Sequence, residues 1–294
     1  MHPVATGALA GVVASLSLRV LRARPPGGSM RWERTNHAGR PVTLLEGPAY
    51  AVGAAAAAGL AGAGPGPVLV ATSSAALGAL DDLAGDSSSK GLKGHLGALA
   101  RGQVTTGAVK VLGLGVTGLV TAALVDRDLR RQRATPVATS GATAGSTWGP
   151  PPPTFADTLV GGAVVAGSAN LLNLLDLRPG RALKATLLGA AALSASRGAA
   201  ARSAAARSTA AAAAGAALGV LAPDLRGEAM LGDTGANSAG ALLGTALVQA
   251  TGRRGRLAAL AVLTGLTLAS EKVSFTRVIE STPVLRELDA LGRR

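Results

Sequence analysis

The sequence predicts an all-α, polytopic membrane protein of about nine transmembrane helices, with its chemistry gathered at one membrane face. Three observations predict it. Hydrophobic residues make up 48% of the 294, mean hydropathy is +0.36, and charged residues fall to 15%, against roughly 25% in an ordinary soluble domain. The apolar residues come in long runs separated by polar connections. Lys and Arg collect in alternate connections, as they do when one face of a bilayer retains positive charge.

The runs fall at 3–23, 47–64, 67–80, 103–125, 156–175, 182–198, 203–222, 236–251 and 255–271. The first has no cationic segment ahead of it and continues into Arg19, Arg22 and Arg24, so it reads as a retained span rather than a cleaved signal. The runs 67–80 and 182–198 are shorter than the roughly 20 residues a span needs, so their ends must reach into the neighbouring loops. Between the fourth and fifth runs, 126–155 carries Arg127, Arg130, Arg131 and Arg133, then Ser, Thr and Gly, then Pro150 to Pro153, and reads as a flexible extracytoplasmic linker. The Ala-rich tract 185–220 shows no repeat period and reads as two packing helices joined near Arg202. A mixed-charge cytoplasmic tail, 272–294, completes a single transmembrane domain, 1–294.

With 41 glycines, long Ala tracts and only two Phe, two Trp and one Tyr, small residues must do the packing. No Cys is present, which excludes disulfides and thiolate chemistry. The net charge of +13 does not indicate nucleic acid, because the basic residues are interleaved with stretches that water would not tolerate exposed. Membrane lipid and phosphorylated substrates suit it better.

Nine spans put the connections 24–46, 81–102, 176–181 and 223–235 and the tail on one face, which the excess of Lys and Arg assigns to the cytoplasm. The same face holds every motif that suggests chemistry. Asp81 and Asp82 stand together where an apolar run meets a polar loop, two costly charges that call for a cation. Asn170, Asn173 and Asp176 are spaced by three along a helix end and fall on one stripe. Gly232 and Gly235 flank Asp233 just before a helix start, where N–H groups favour anions, although an Asp there also serves as an N-cap. Lys110 lies inside the fourth run, facing a polar cavity or snorkelling to the surface. Lys90 and Lys93 stand in the loop after the Asp pair, to screen phosphates or simply to be solvated.

In their order along the chain these motifs resemble the polyprenyl-phosphate N-acetylhexosamine-1-phosphate transferases, which include phospho-MurNAc-pentapeptide translocase and the GlcNAc-1-phosphate transferases. That family carries an Asp-Asp pair after the third span, Asn-x-x-Asn-x-x-Asp after the fifth and Gly-Asp-x-Gly before a later one. Here they read Asp81-Asp82, Asn170/Asn173/Asp176 and Gly232-Asp233-Thr234-Gly235, and the early Asn36-His37-Ala38-Gly39-Arg40 resembles a further loop. The resemblance implies Mg²⁺-dependent transfer of a sugar-1-phosphate from a UDP-N-acetylhexosamine to polyprenyl phosphate, releasing UMP, for cell-wall precursors. It implies Asp233 as metal ligand, Asp81 as base or nucleophile, and Asp82 beside it holding Lys, metal or substrate in register. Asn36, Asn170, Asn173, Asp176, Lys90, Lys93 and Lys110 are implied as substrate contacts. Dimers are common in the family, and Ala and Gly faces fit intramolecular packing equally well.

Two departures qualify the resemblance. Pro179 stands where the family has a second Asp, leaving Arg178 or Arg181 to contact diphosphate, and the late His-rich motif has no counterpart. A catalytically silent relative that binds lipid-linked precursor as a scaffold is the alternative. A transporter is the third class, disfavoured because the polar residues gather at one face instead of the midplane.

Overall fold

The computed structural model describes residues 1–36, 39–84, 102, 105–134, 152–195 and 203–293. About four-fifths of these residues are helical. Nine helices of fifteen residues or more appear among them: α1 (Pro3–Ala23), α2 (Glu46–Leu60), α3 (Pro65–Ala84), α4 (Thr106–Ala134), α5 (Phe155–Leu175), α6 (Arg181–Ala195), α7 (Ala204–Leu225), α8 (Gly232–Ala250) and α9 (Arg253–Ser270). They coincide with the nine apolar runs. Four of them, α1, α4, α5 and α7, are long and apolar enough to cross a membrane, and α9 makes a fifth if it is joined to the short helix that follows it across a 94° bend. The chain is an all-α membrane protein.

Two elements depart from the sequence reading. The stretch 126–155 is not a linker throughout, because α4 continues to Ala134; the connection beyond it, 135–151, lies outside the described residues. The helix persists because Asp126 to Ala134 is a run of helix-compatible residues with no Pro or Gly to end it. Phe155 then starts α5 behind a capping box, in which the Thr154 hydroxyl accepts from the Asp157 N–H and the Asp157 carboxylate accepts from the Thr154 N–H. The tail is also folded, into α10 (Phe275–Ser281) and α11 (Pro283–Ala290).

Small residues set the packing. Gly7 and Gly11 on α1 face Gly215 and Gly219 on α7, two Gly-x-x-x-Gly stripes in backbone contact, so that a Cβ at Gly215 would overlap the Gly7 carbonyl. Such close approach supplies the van der Waals contact that holds helices together where lipid gives no hydrophobic drive. The centre of the bundle is α8, with 16 of its 19 residues buried against α2, α3, α5, α6 and α7. Between α1 and α2 lies an element the sequence reading did not contain. It is an antiparallel hairpin of β1 (Glu33–Thr35) and β2 (Pro41–Thr43), whose outer strand bridges Thr43 to Ala229 ahead of α8. The hairpin lays Arg34, Asn36 and Arg40 over the end of the bundle where α3, α5, α7 and α8 meet.

Candidate functional site

Three helices bring acids and a lysine together at that end. Asp81 lies near the C-terminus of α3, Lys110 in the second turn of α4, and Asp233 in the first turn of α8. The Lys110 ammonium donates to Asp81 Oδ2 at 2.6 Å and to Asp233 Oδ2 at 2.5 Å. The cation that an acidic pair at the end of an apolar run calls for is thus supplied by the chain itself. One ammonium serves two carboxylates.

Asp82 turns away from this trio. Adjacent residues on a helix project about 100° apart and do not share a face. Its Oδ1 accepts from the Asp233 N–H at 3.0 Å, and its Oδ2 accepts from the Thr234 N–H at 2.9 Å and the Thr234 hydroxyl at 2.6 Å. The N-terminus of α8 is therefore an anion site, as the glycines around Asp233 suggested, but the anion is a side chain of α3. Asp233 is not the cap; Asp82 caps α8 from outside. It holds the backbone that carries Asp233, whereas Asp81 of the same pair meets Lys110. Arg34 of the hairpin fixes Asp82 in turn, donating to its carbonyl.

Glycines make this meeting feasible. Gly232 has φ of 60°, a left-handed conformation, and a Cβ there would meet the Asp82 carboxylate. A Cβ at Gly78 would collide with the Asp233 carbonyl, so α3 and α8 touch backbone to backbone one turn from Asp81 and Asp82.

The Asn-x-x-Asn-x-x-Asp stripe does not act as a unit. Asn170 is turned to α9, its amide donating to the Thr267 hydroxyl at 3.3 Å. Asn173 is half-buried one turn on, and its carbonyl accepts from the Asp176 N–H. Asp176 is buried, with Oδ2 lacking a hydrogen-bond partner. Burial first, and then the Asp224 charge, push its carboxyl well above the usual carboxylate range.

Asp176 lines a cavity of about 720 Å³. Asn36 and Arg40 of the hairpin form one side of it, Arg178 and Pro179 another, and Thr276, Glu280 and Arg293 of the C-terminal segment a third. That volume lies within the range of small-molecule sites. Asn36, placed at substrate by the sequence, is at this wall and also closes the hairpin turn, its Oδ1 accepting from the Arg40 N–H at 3.0 Å. Arg181, offered for diphosphate, is instead buried in a bidentate pair with Asp289 at 2.8 and 3.0 Å. Arg178 lines the cavity and pairs with Glu280 at 3.1 Å. Lys90 and Lys93 lie outside the described residues.

Among the described residues no three His, Cys, Asp or Glu side chains converge as a metal site. Asp81 and Asp233 are two carboxylates that do converge, on the Lys110 ammonium. Such a pair of hard oxygen donors suits Mg²⁺, which takes one or two carboxylates and completes its shell with water and phosphate oxygens. The sequence reading missed a second buried ionic cluster at the opposite end of the bundle, where Arg256 of α9 pairs with Asp126 of α4 at 2.7 Å. Opposite charges just inside the ends of two apolar runs were the available signal.

No protein-family model matches the chain, and no curated protein does.

Proposed function

We propose that the chain transfers a sugar-1-phosphate from a UDP-N-acetylhexosamine to a polyprenyl phosphate, releasing UMP, at the cytoplasmic face of the plasma membrane. The observation that carries this reading is the Asp81–Lys110–Asp233 trio, assembled from three helices; a separate cavity of about 720 Å³, lined by acids and arginines but by none of the trio, lies under the hairpin whose Arg34 holds Asp82. It agrees with the motif resemblance to the polyprenyl-phosphate transferases, which rests on the same Asp81 and Asp233.

In this reaction an oxygen of the polyprenyl phosphate attacks the sugar-bearing phosphorus of the nucleotide sugar. The P–O–P bond to UMP breaks, and a polyprenyl-diphosphate sugar forms. Both reactants are anions, so the site must offset their repulsion. Mg²⁺ held by Asp233 and Asp81 would supply positive charge at the diphosphate oxygens. Lys110 supplies a second positive charge between the two carboxylates and moves onto phosphate when it enters. Asp81, near the end of α3, accepts the proton of the lipid phosphate; in the two-step alternative its carboxylate attacks the sugar-bearing phosphorus and expels UMP, and the polyprenyl phosphate then attacks that phosphorus and releases the carboxylate. Asp82 keeps Asp233 in place through the α8 backbone. Arg40 and Arg178 face the cavity that receives the nucleotide sugar, with Asp176 also in its wall. All nine long helices serve as spans, the short ones extended by their loops, so that the cavity opens to the cytoplasm.

The saturation of both carboxylates by Lys110 supports a second reading, a silent relative that binds lipid-linked precursor without turnover. Purified chain incubated with Mg²⁺, polyprenyl phosphate and separate UDP-sugars decides between them. UMP release with at least one sugar is expected. Binding of lipid-linked sugar with no UMP from any sugar would favour the scaffold. Cysteine at Met30 should be labelled from the cytoplasm and cysteine at Gln132 from outside; the reverse would overturn the orientation.

A further inference from the structure

The C-terminal segment carries an apolar face that the bundle does not cover. On α11, Val284, Leu285, Leu288 and Leu291 are exposed by 66, 42, 46 and 67%. At 100° per residue they form one stripe about 120° wide. Asp289 falls just beside that stripe and is the residue fastened to the bundle, through Arg181 and Arg293. Lys184 adds a second fastening, its ammonium donating to the carbonyls of Leu288, Asp289 and Leu291 and so capping the C-terminus of α11. The helix is held firmly by one edge while its apolar stripe stays open.

We infer that this stripe lies in the bilayer, with α10 and α11 forming an interfacial element at the headgroup level of the membrane the bundle spans. Three observations select the bilayer as its occupant. The chain turns by 94° between α9 and α10, from the direction of a candidate span to one across it. Exposed apolar residues recur through that turn, Leu268 in α9, Val273 between the helices, Val278 in α10 and Val284 in α11. Lys272, Arg277 and Arg286 are exposed along the pair, where long cationic side chains reach headgroup phosphates, while the acids Glu280 and Asp289 are tied to arginines of the bundle. The consequence concerns the cavity. Ser274, Thr276, Glu280 and Arg293 of this segment form one of its walls, so the bilayer surface holds that wall in place. None of this depends on the transferase reading.

The chain has no Cys, so a single introduced cysteine gives a unique label. Full-length protein carrying a nitroxide at Leu288→Cys, in nanodiscs of phosphatidylcholine with phosphatidylglycerol, tests the inference by collision with oxygen and with a water-soluble nickel chelate. A label in the acyl boundary should meet oxygen more and the chelate several-fold less than one at Glu287→Cys, 100° round the helix and outside the stripe. Leu291→Cys, at the stripe's more exposed end, repeats the test should the first variant misfold. Equal access of the chelate to positions 287 and 288 would overturn the inference. So would dipolar broadening that disappears on dilution with unlabelled chain, which would assign the stripe to a second copy.

Discussion

Two ionic clusters share helix α4 and behave differently. Lys110 stands near its start and Asp126 sixteen residues on, about 24 Å along the axis. At the far end Arg256 and Asp126 are 2% and 1% exposed and 2.7 Å apart. Arg256 also donates to the carbonyls of Asp157 and Val248, and the Thr158 hydroxyl donates to Asp126, so all but the Arg256 Nε is satisfied and the pair is neutral. At the near end one ammonium faces two carboxylates, and each side chain keeps 15 to 20% of its surface. A dry, neutral, hydrogen-bonded pair has nothing left to offer a ligand and fastens α4 to α9. A cluster in which two carboxylates share one ammonium and keep access to water can still exchange a partner for a ligand. Burial of charge alone therefore does not separate the two clusters; access to water and an unequal count of acids and bases do.

The largest effect that separates them is on stability. Arg256→Met leaves the Asp126 carboxylate buried without a cation, a change worth about 3–5 kcal/mol. Thermal unfolding in detergent should fall accordingly, and Asp126→Leu added to Arg256→Met should recover most of it. Asp81→Asn and Asp233→Asn act in the opposite sense. Each should lower UMP release by about 10²-fold or more, the range of a lost proton-transfer or charge-stabilising group, while unfolding shifts by about 1 kcal/mol or less because these side chains are partly solvated. If the near cluster proved the more important for stability, or the far one for turnover, the distinction would collapse.

The sequence showed the near cluster because its acids stand at the boundary of an apolar run, where their cost is visible. Lys110 was visible as an intramembrane charge, but its partners were not. Pairing a residue of α4 with residues of α3 and α8 depends on which helices lie side by side, and Ala- and Gly-rich faces leave that open. The same limit hid Asp126–Arg256 and divided the Asn170–Asp176 stripe, whose spacing fixes a face but not what the face meets. Helix positions were legible, with ends shifted by a few residues and by nine at the end of α4, because apolar runs mark the apolar part of a helix and not its polar last turns. The β-hairpin was not, since Glu33 to Thr35 carries neither alternation nor a two-residue turn signal, and its strands are held by the edge contact with Ala229.

Asp82 sharpens the comparison from inside the near cluster. It makes three hydrogen bonds to the start of α8 and none to Lys110. Asp82→Ala should cost about 1–3 kcal/mol, the penalty for unpaired buried donors, and should lower kcat more than it raises KM, because Asp233 is displaced while the cavity is kept. Asp82→Asn retains an acceptor and should recover part of both. A loss of turnover equal to that of Asp81→Asn, with no change in stability, would instead place Asp82 among the reacting groups.

The smallest effect belongs to a third ionic contact, which joins the C-terminal helices to the bundle. Burial alone would raise the Asp289 carboxyl, but hydrogen bonds and charge from Arg181 and Arg293 outweigh it and hold the group below its ordinary value. In the undocked segment the carboxyl titrates near the ordinary value of about 3.9. The docked state therefore gains a contribution that is complete above that value and is lost as pH falls through the lower docked one. Mobility of a label at Leu291→Cys should stay constant from neutral pH down to the carboxylate range and rise only below it. Asp289→Asn should give raised mobility at neutral pH and remove the acid transition. If the transition persisted in that variant, another acid would be holding the segment, and Glu280, paired with Arg178 across the same cavity, is the one the geometry offers.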